Sequence, residues 1–97
     1  MTIEQFELPV TPIAEITARG RACVAGRLSS LTYSPADAHP EFTARISDET
    51  GTIGLLFVGR EDIAGLEVGR GIIAAGTVTE HLGRLVIFNP IYELREA

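Results

Sequence analysis

The stretch from Phe42 to Val58, FTARISDETGTIGLLFV, constrains the fold more than any other part of this chain. Two alternating segments flank Asp48-Glu49-Thr50-Gly51, a short turn ending in glycine. Phe42, Ala44 and Ile46 fall on one face of the first segment; Ile53, Leu55 and Phe57 fall on one face of the second. Period-two alternation on both sides of a turn predicts a β-hairpin with one buried face. Asp48 and Glu49 lie in the turn itself, where an Asp and a later Gly serve conformation rather than paired-carboxylate chemistry.

The flanking sequence supplies three more strands. Arg21 to Tyr33 reads as one long strand, with Ala22, Val24, Gly26 and Leu28 on one face. Arg21, Cys23, Ala25, Arg27 and Ser29 take the other face. A glycine in mid-strand predicts a bulge or sharp bend, so this strand can curl and pair with two neighbours. Ser34 to Pro40, with two prolines, is a loop. Gly59 to Gly69 predicts a connector holding one helical turn, with Ile63, Leu66 and Val68 as its apolar points. Gly71 to Glu80 is the fourth strand, again with an interior glycine, Gly76. His81-Leu82-Gly83 makes a turn, and Arg84 to Leu94 is the last strand, broken near Asn89-Pro90 because proline cannot donate to a ladder. Five strands of this size are too few for a large sandwich. A small closed barrel removes the sheet edges, and Gly26 and Gly76 permit the curvature that closure demands.

Ahead of the barrel, residues 1–19 read as an arm and a short helix, leaving 20–97 as the barrel domain. Phe6, Leu8 and Val10 alternate, so the arm can add to a sheet edge. Thr11 is placed to cap a helix over Pro12–Ile16, with proline at its first position.

Composition narrows the class. At 97 residues and 45% apolar content the chain supports one domain with one core. It has no apolar run of membrane-spanning length, no signal-peptide pattern at its N-terminus, and a single cysteine, Cys23, that cannot form an internal disulfide. These features predict a cytoplasmic protein. Thirteen acids against eight basic residues give a net charge of -5, which argues against strong nonspecific attraction to phosphate backbones. All eight basic residues are arginine, as codon bias in a GC-rich genome would also produce. A local basic patch remains possible: Arg19, Arg21 and Arg27 lie close together with no acid between them.

The order and spacing of these elements resemble an OB-fold domain over about residues 20–94. The resemblance rests on GRACVAGRL, FTARISDETGTIGLLFVG, LEVGRGIIAAGTV and GRLVIFNPIYEL, in that order. Among OB domains the chain is similar to the anticodon-binding type, to the wedge domain of RecG helicases, and to small stand-alone actinobacterial OB proteins. The D-x-T-G turn and the N-P-x-Y-E near the end carry that likeness. The resemblance implies an all-β, five-stranded Greek-key barrel. It also implies a binding surface on the outer face of strands one to three, flanked by Tyr33–Glu41 and Glu80–Arg84. Unwinding, which needs a motor, is not implied.

A nucleic-acid groove needs cations along the backbone track and aromatic faces for the bases. Arg21, Arg27 and Arg45 point outward from the expected strands, and His81 and Arg84 sit at the loop between the last two. Tyr33 and Phe88 are the stacking candidates, although for Phe88 a core position is slightly favoured, since a tail or helix could cover it; Tyr92 and Phe6 read as packing residues. Catalysis finds little support. His39 and His81 have no Cys or His at ligand spacing, so no metal site is expected. Cys23 has no local partner base. GLEVGRG lacks the lysine and the serine or threonine of a phosphate-binding loop, and no cofactor is implied. The expected function is therefore binding, of single-stranded or branched nucleic acid with DNA ahead of RNA. The alternative is a protein-interaction OB module with no nucleic-acid binding of its own, and an enzyme is the third and least supported class.

Overall fold

A computed structural model describes residues 9–34, 41–59 and 66–95. Phe6 and Leu8 of the arm, His39 with most of its loop, and the expected helical turn near Ile63 lie outside the described residues. The strands are β1 (Arg21–Ser34), β2 (Glu41–Ser47), β3 (Thr52–Val58), β4 (Gly71–His81) and β5 (Arg84–Arg95). They close into a barrel in the order β1-β2-β3-β5-β4. All neighbours are antiparallel except β3 and β5, which pair in parallel from Gly54↔Val86 to Leu56↔Phe88. This is the expected five-stranded Greek-key barrel.

Closure depends on β1 serving two partners. Its first half pairs with β4 from Arg21↔Thr77 to Arg27↔Gly71, and its second half pairs with β2 from Arg27↔Ser47 to Ser34↔Glu41. The bend falls at Gly26, where a Cβ would stand 2.4 Å from the Ser47 carbonyl oxygen. Gly76 plays the matching part in β4, beside the register shift between Ala75 and Thr77, with Ile87 Cγ2 2.9 Å from where its Cβ would be.

The inner face is the one the alternation assigns. Val24, Leu28, Ala44, Ile46, Ile53, Leu55, Phe57, Ile72, Ala74, Val78 and Ile87 form one buried cluster, with Phe42 partly buried against it. Phe57 meets Phe42 and Tyr92 edge-on, at ring-centroid distances of 6.5 and 5.8 Å. Tyr92 is thus the packing residue its position suggests.

One end of the barrel is closed by the segment ahead of β1. Ile13 and Ile16 join the core, from a 3₁₀ turn at Ile13–Glu15 rather than the expected α-helical start. The three-residue spacing of a 3₁₀ turn puts both side chains on one side. Thr11 does not cap it; Pro12 occupies the cap position and makes no side-chain cap bond. The caps come instead from the β2–β3 turn. Ile13 N donates to Asp48 Oδ2 at 2.9 Å and Ala14 N to Thr50 Oγ1 at 2.9 Å. Asp48 Oδ1 also accepts from Thr50 N, Thr50 Oγ1 and Gly51 N at 2.7, 2.6 and 3.0 Å. Partial burial pushes the Asp48 carboxyl up, but these bonds from Thr50, Ile13 and Gly51 outweigh it and hold the group below the ordinary aspartate value. The turn is therefore shaped by Asp48, and its glycine does not need a left-handed φ.

Val10 forms a parallel bridge with Cys23, and Thr11 N donates to the Cys23 carbonyl at 2.8 Å. The end of the arm thus adds to the edge of β1 as its alternation suggests. Cys23 is buried there, and burial pushes its thiol up. The expected break in the last strand is instead a kink within a continuous β5. Asn89 takes a φ of 41°, and its Oδ1 accepts from Val58 N at 2.9 Å, so a side chain continues the ladder that Pro90 cannot. Beyond the kink the inward face passes from Leu85 and Ile87 to Tyr92 and Leu94. No helix among the described residues is long and apolar enough to cross a membrane.

Candidate nucleic-acid interface

Because Ala44, Ile46, Ile53, Leu55 and Ile87 face inward, the residues between them face out. Ser30, Arg45, Gly54 and Val86 line up across β1, β2, β3 and β5 as direct cross-strand neighbours. Thr32, Thr43, Leu56 and Phe88 form the next row. Over this face the β4–β5 hairpin reaches back to the start of β2, where His81 Nε2 lies 3.5 Å from Glu41 Oε2. Between hairpin and sheet is an open groove of about 310 Å³. Its walls include Arg45, Arg84, His81 and Leu82, and its floor includes Thr43 and Val86.

The floor is low because Gly54 has no side chain. A Cβ there would lie 3.0 Å from Val86 Cγ1 and 3.6 Å from Thr43 Cγ2. Val86 is buried despite facing outward, so it adds little height to the floor. Among the described residues neither Arg45 nor Arg84 has a carboxylate within 4 Å. Two guanidinium groups with no carboxylate partner among the described residues can take a chain of phosphates whose bases lie inward. Glu41 tempers the field at the His81 end.

The sequence candidates divide. Arg45, His81 and Arg84 come together in the groove. Arg21 and Arg27 do not: Arg21 stands outward beside Thr77 on the β1–β4 side, and Arg27 Nη1 lies 3.4 Å from the Gly69 carbonyl. Tyr33 is also misplaced by simple alternation. A bulge between Leu28 and Ser30 adds Ser29 to β1, and from there the inward face switches from even to odd positions. Tyr33 therefore pairs with inward-facing Phe42 and sits half-exposed at the barrel's end, not on the groove face. Phe88 is outward and 44% exposed, so its core reading is corrected, yet it stands beside the groove rather than in its lining.

Leu82 belongs to the groove and was not among the candidates. It is the first of two loop residues between His81 and Arg84, with φ at 54°, and Gly83 follows at 80°. That is the type I′ pattern, which favours Asn or Asp at the first position. A leucine there costs about 1 kcal/mol. The signal in the sequence is the Leu-Gly pair itself, standing where Asn-Gly would be expected.

The chain is similar in structure to the replication factor A related protein of Methanobacterium thermoautotrophicum, solved in solution by NMR. The TM-score is 0.66 over 90% of this chain and 91% of that one, at 16% identity. The barrel is an OB fold. No protein-family model and no curated protein matches the chain by sequence. The OB likeness at this identity is one of fold.

Proposed function

We propose that this chain is a small OB-fold binding module, not an enzyme, that holds single-stranded or branched nucleic acid in the groove between β1–β3 and the β4–β5 hairpin. The observation that carries the reading is the pair of cations, Arg45 and Arg84, which have no carboxylate partner among the described residues and stand beside a floor of Thr43 and Val86. The structural neighbour is described as a replication factor A related protein, which supports nucleic-acid binding in general and does not choose between DNA and RNA.

The test is fluorescence anisotropy with labelled single-stranded, duplex and forked DNA, and with RNA, in a low-salt series. Binding is expected for the single strand and the fork. With two cations on the backbone track, the log–log salt slope is expected to be about −1.4. Substituting Arg45→Ala together with Arg84→Ala should weaken binding and flatten the slope, while Arg27→Ala should change neither. No binding to any of these probes at low salt sinks the reading and leaves docking of a protein partner. The exposed Phe88 and Ile91 of β5 favour that second reading, and alanine at both positions should then release a partner that the arginine substitutions leave bound.

A further inference from the structure

Among the described residues no phenylalanine or tyrosine ring lines the groove, since Tyr33 lies at the barrel's end and Phe88 stands outside the lining. Apart from the His81 imidazole, whose Nε2 lies 3.5 Å from Glu41 Oε2, a base in this groove meets aliphatic surface. Val86 offers little of it, being buried in the floor. Leu82 offers nearly all of its side chain, at 90% exposure, from the tip of the hairpin. It stands between His81 and Arg84 in sequence, and all three line the same groove.

We propose that Leu82 is an apolar contact residue of this groove, pressing its side chain against the face of an unpaired base held between Arg45 and Arg84. The inference rests on the nucleic-acid reading above and names the kind of strand that reading takes. Three independent facts converge on Leu82: its exposure, its left-handed backbone, and its place in the groove wall. A single exposed leucine is ordinary on a protein surface. An exposed leucine held in a conformation that favours asparagine is not, and such strain gathers at ligand clamps. Apolar side chains meet base faces elsewhere in nucleic-acid recognition, but on a duplex only by prising a base step open at an energetic cost. An aliphatic contact reads no hydrogen-bond pattern, so it tolerates any base. It does require an exposed base face, which a duplex hides within its stack. Leu82 therefore selects for unpaired strands without selecting for sequence.

The decisive variant is Leu82→Asn, because asparagine suits the turn better than leucine does. The protein should melt at the same temperature or higher, so a loss of binding cannot be a loss of fold. In anisotropy titrations with an oligothymidine of about 16 nucleotides, the upper site size of one OB fold, affinity should fall by about 5-fold, the order of what burying part of a leucine supplies. The salt slope should stay at the wild-type value, because no charge is removed. Leu82→Phe should bind at least as tightly as wild type. If wild type binds and Leu82→Asn binds equally well, the proposal for Leu82 is wrong and the groove reading survives. A reduced salt slope in Leu82→Asn also overturns it, since the change then acts through the arginines. If wild type does not bind at all, both readings fall together.

Discussion

At Gly26 the backbone of β1 leaves β4 and joins β2, with the Ser47 carbonyl 2.4 Å from where a Cβ would stand. The obstacle is backbone, so it cannot swing aside as a side chain could. Gly26→Ala is expected to destabilise the barrel by at least about 2 kcal/mol, read as a lower urea midpoint. Asp48 works differently, through hydrogen bonds that join the β2–β3 turn to the 3₁₀ turn. Removing it in Asp48→Ala should cost about 1 kcal/mol at neutral pH, as loss of a helix cap does. The pH dependence follows from the depressed carboxyl. In acid the unfolded chain takes up this proton before the folded one, so the contribution is complete above the unfolded pKa and disappears as pH falls through the folded one. The stability gap between wild type and Asp48→Ala should therefore narrow on acidification, and a constant gap in denaturation curves from neutral to acid pH would show the charge plays no part. The turn was legible in the sequence as a turn. Its capping of a segment 35 residues away was not, because a cap from a distant residue leaves no local pattern.

The element that sequence reading placed least well is the second half of β1. Alternation carried through Leu28 correctly and then failed, because Ser29 is an extra residue opposite β2. A bulge changes which face every later side chain takes, and nothing in LSSLTY marks it. That one residue moved Tyr33 away from the groove and brought Leu31 into contact with the core. Deleting Ser29 tests this directly. Without this extra residue Leu31 stays opposite Ala44 and inward by plain alternation, so the shortened chain should keep a cooperative thermal transition in circular dichroism. Loss of that transition would mean that Ser29 is not a removable insertion and that the barrel needs the bend it gives β1. In β5 the opposite happened: Asn89-Pro90 was visible as an interruption, while the rescue of the ladder by the Asn89 side chain needed Val58 beside it in space.

At the scale of the whole molecule, a net charge of -5 and a groove holding Arg45 and Arg84 pull in opposite directions. The global charge repels a polyanion at long range, whereas the two guanidinium groups act only at contact. Nucleic-acid binding by this barrel should therefore be modest in affinity and lost at moderate salt, which the titrations with the two arginine variants measure. The fold class followed from the sequence by itself. Strict alternation in Phe42–Val58, with interior glycines in two other strands, leaves a chain this short few options besides a closed barrel, since burial of one face is a local, periodic property. The groove was a tertiary decision. Arg45 and Arg84 lie on strands that are not hydrogen-bonded to each other, and His81 reaches Glu41 only because the β4–β5 hairpin folds over β2. Which outward residues share a surface depends on barrel closure, one bulge and one hairpin's course, and these are set by long-range packing that no local period records.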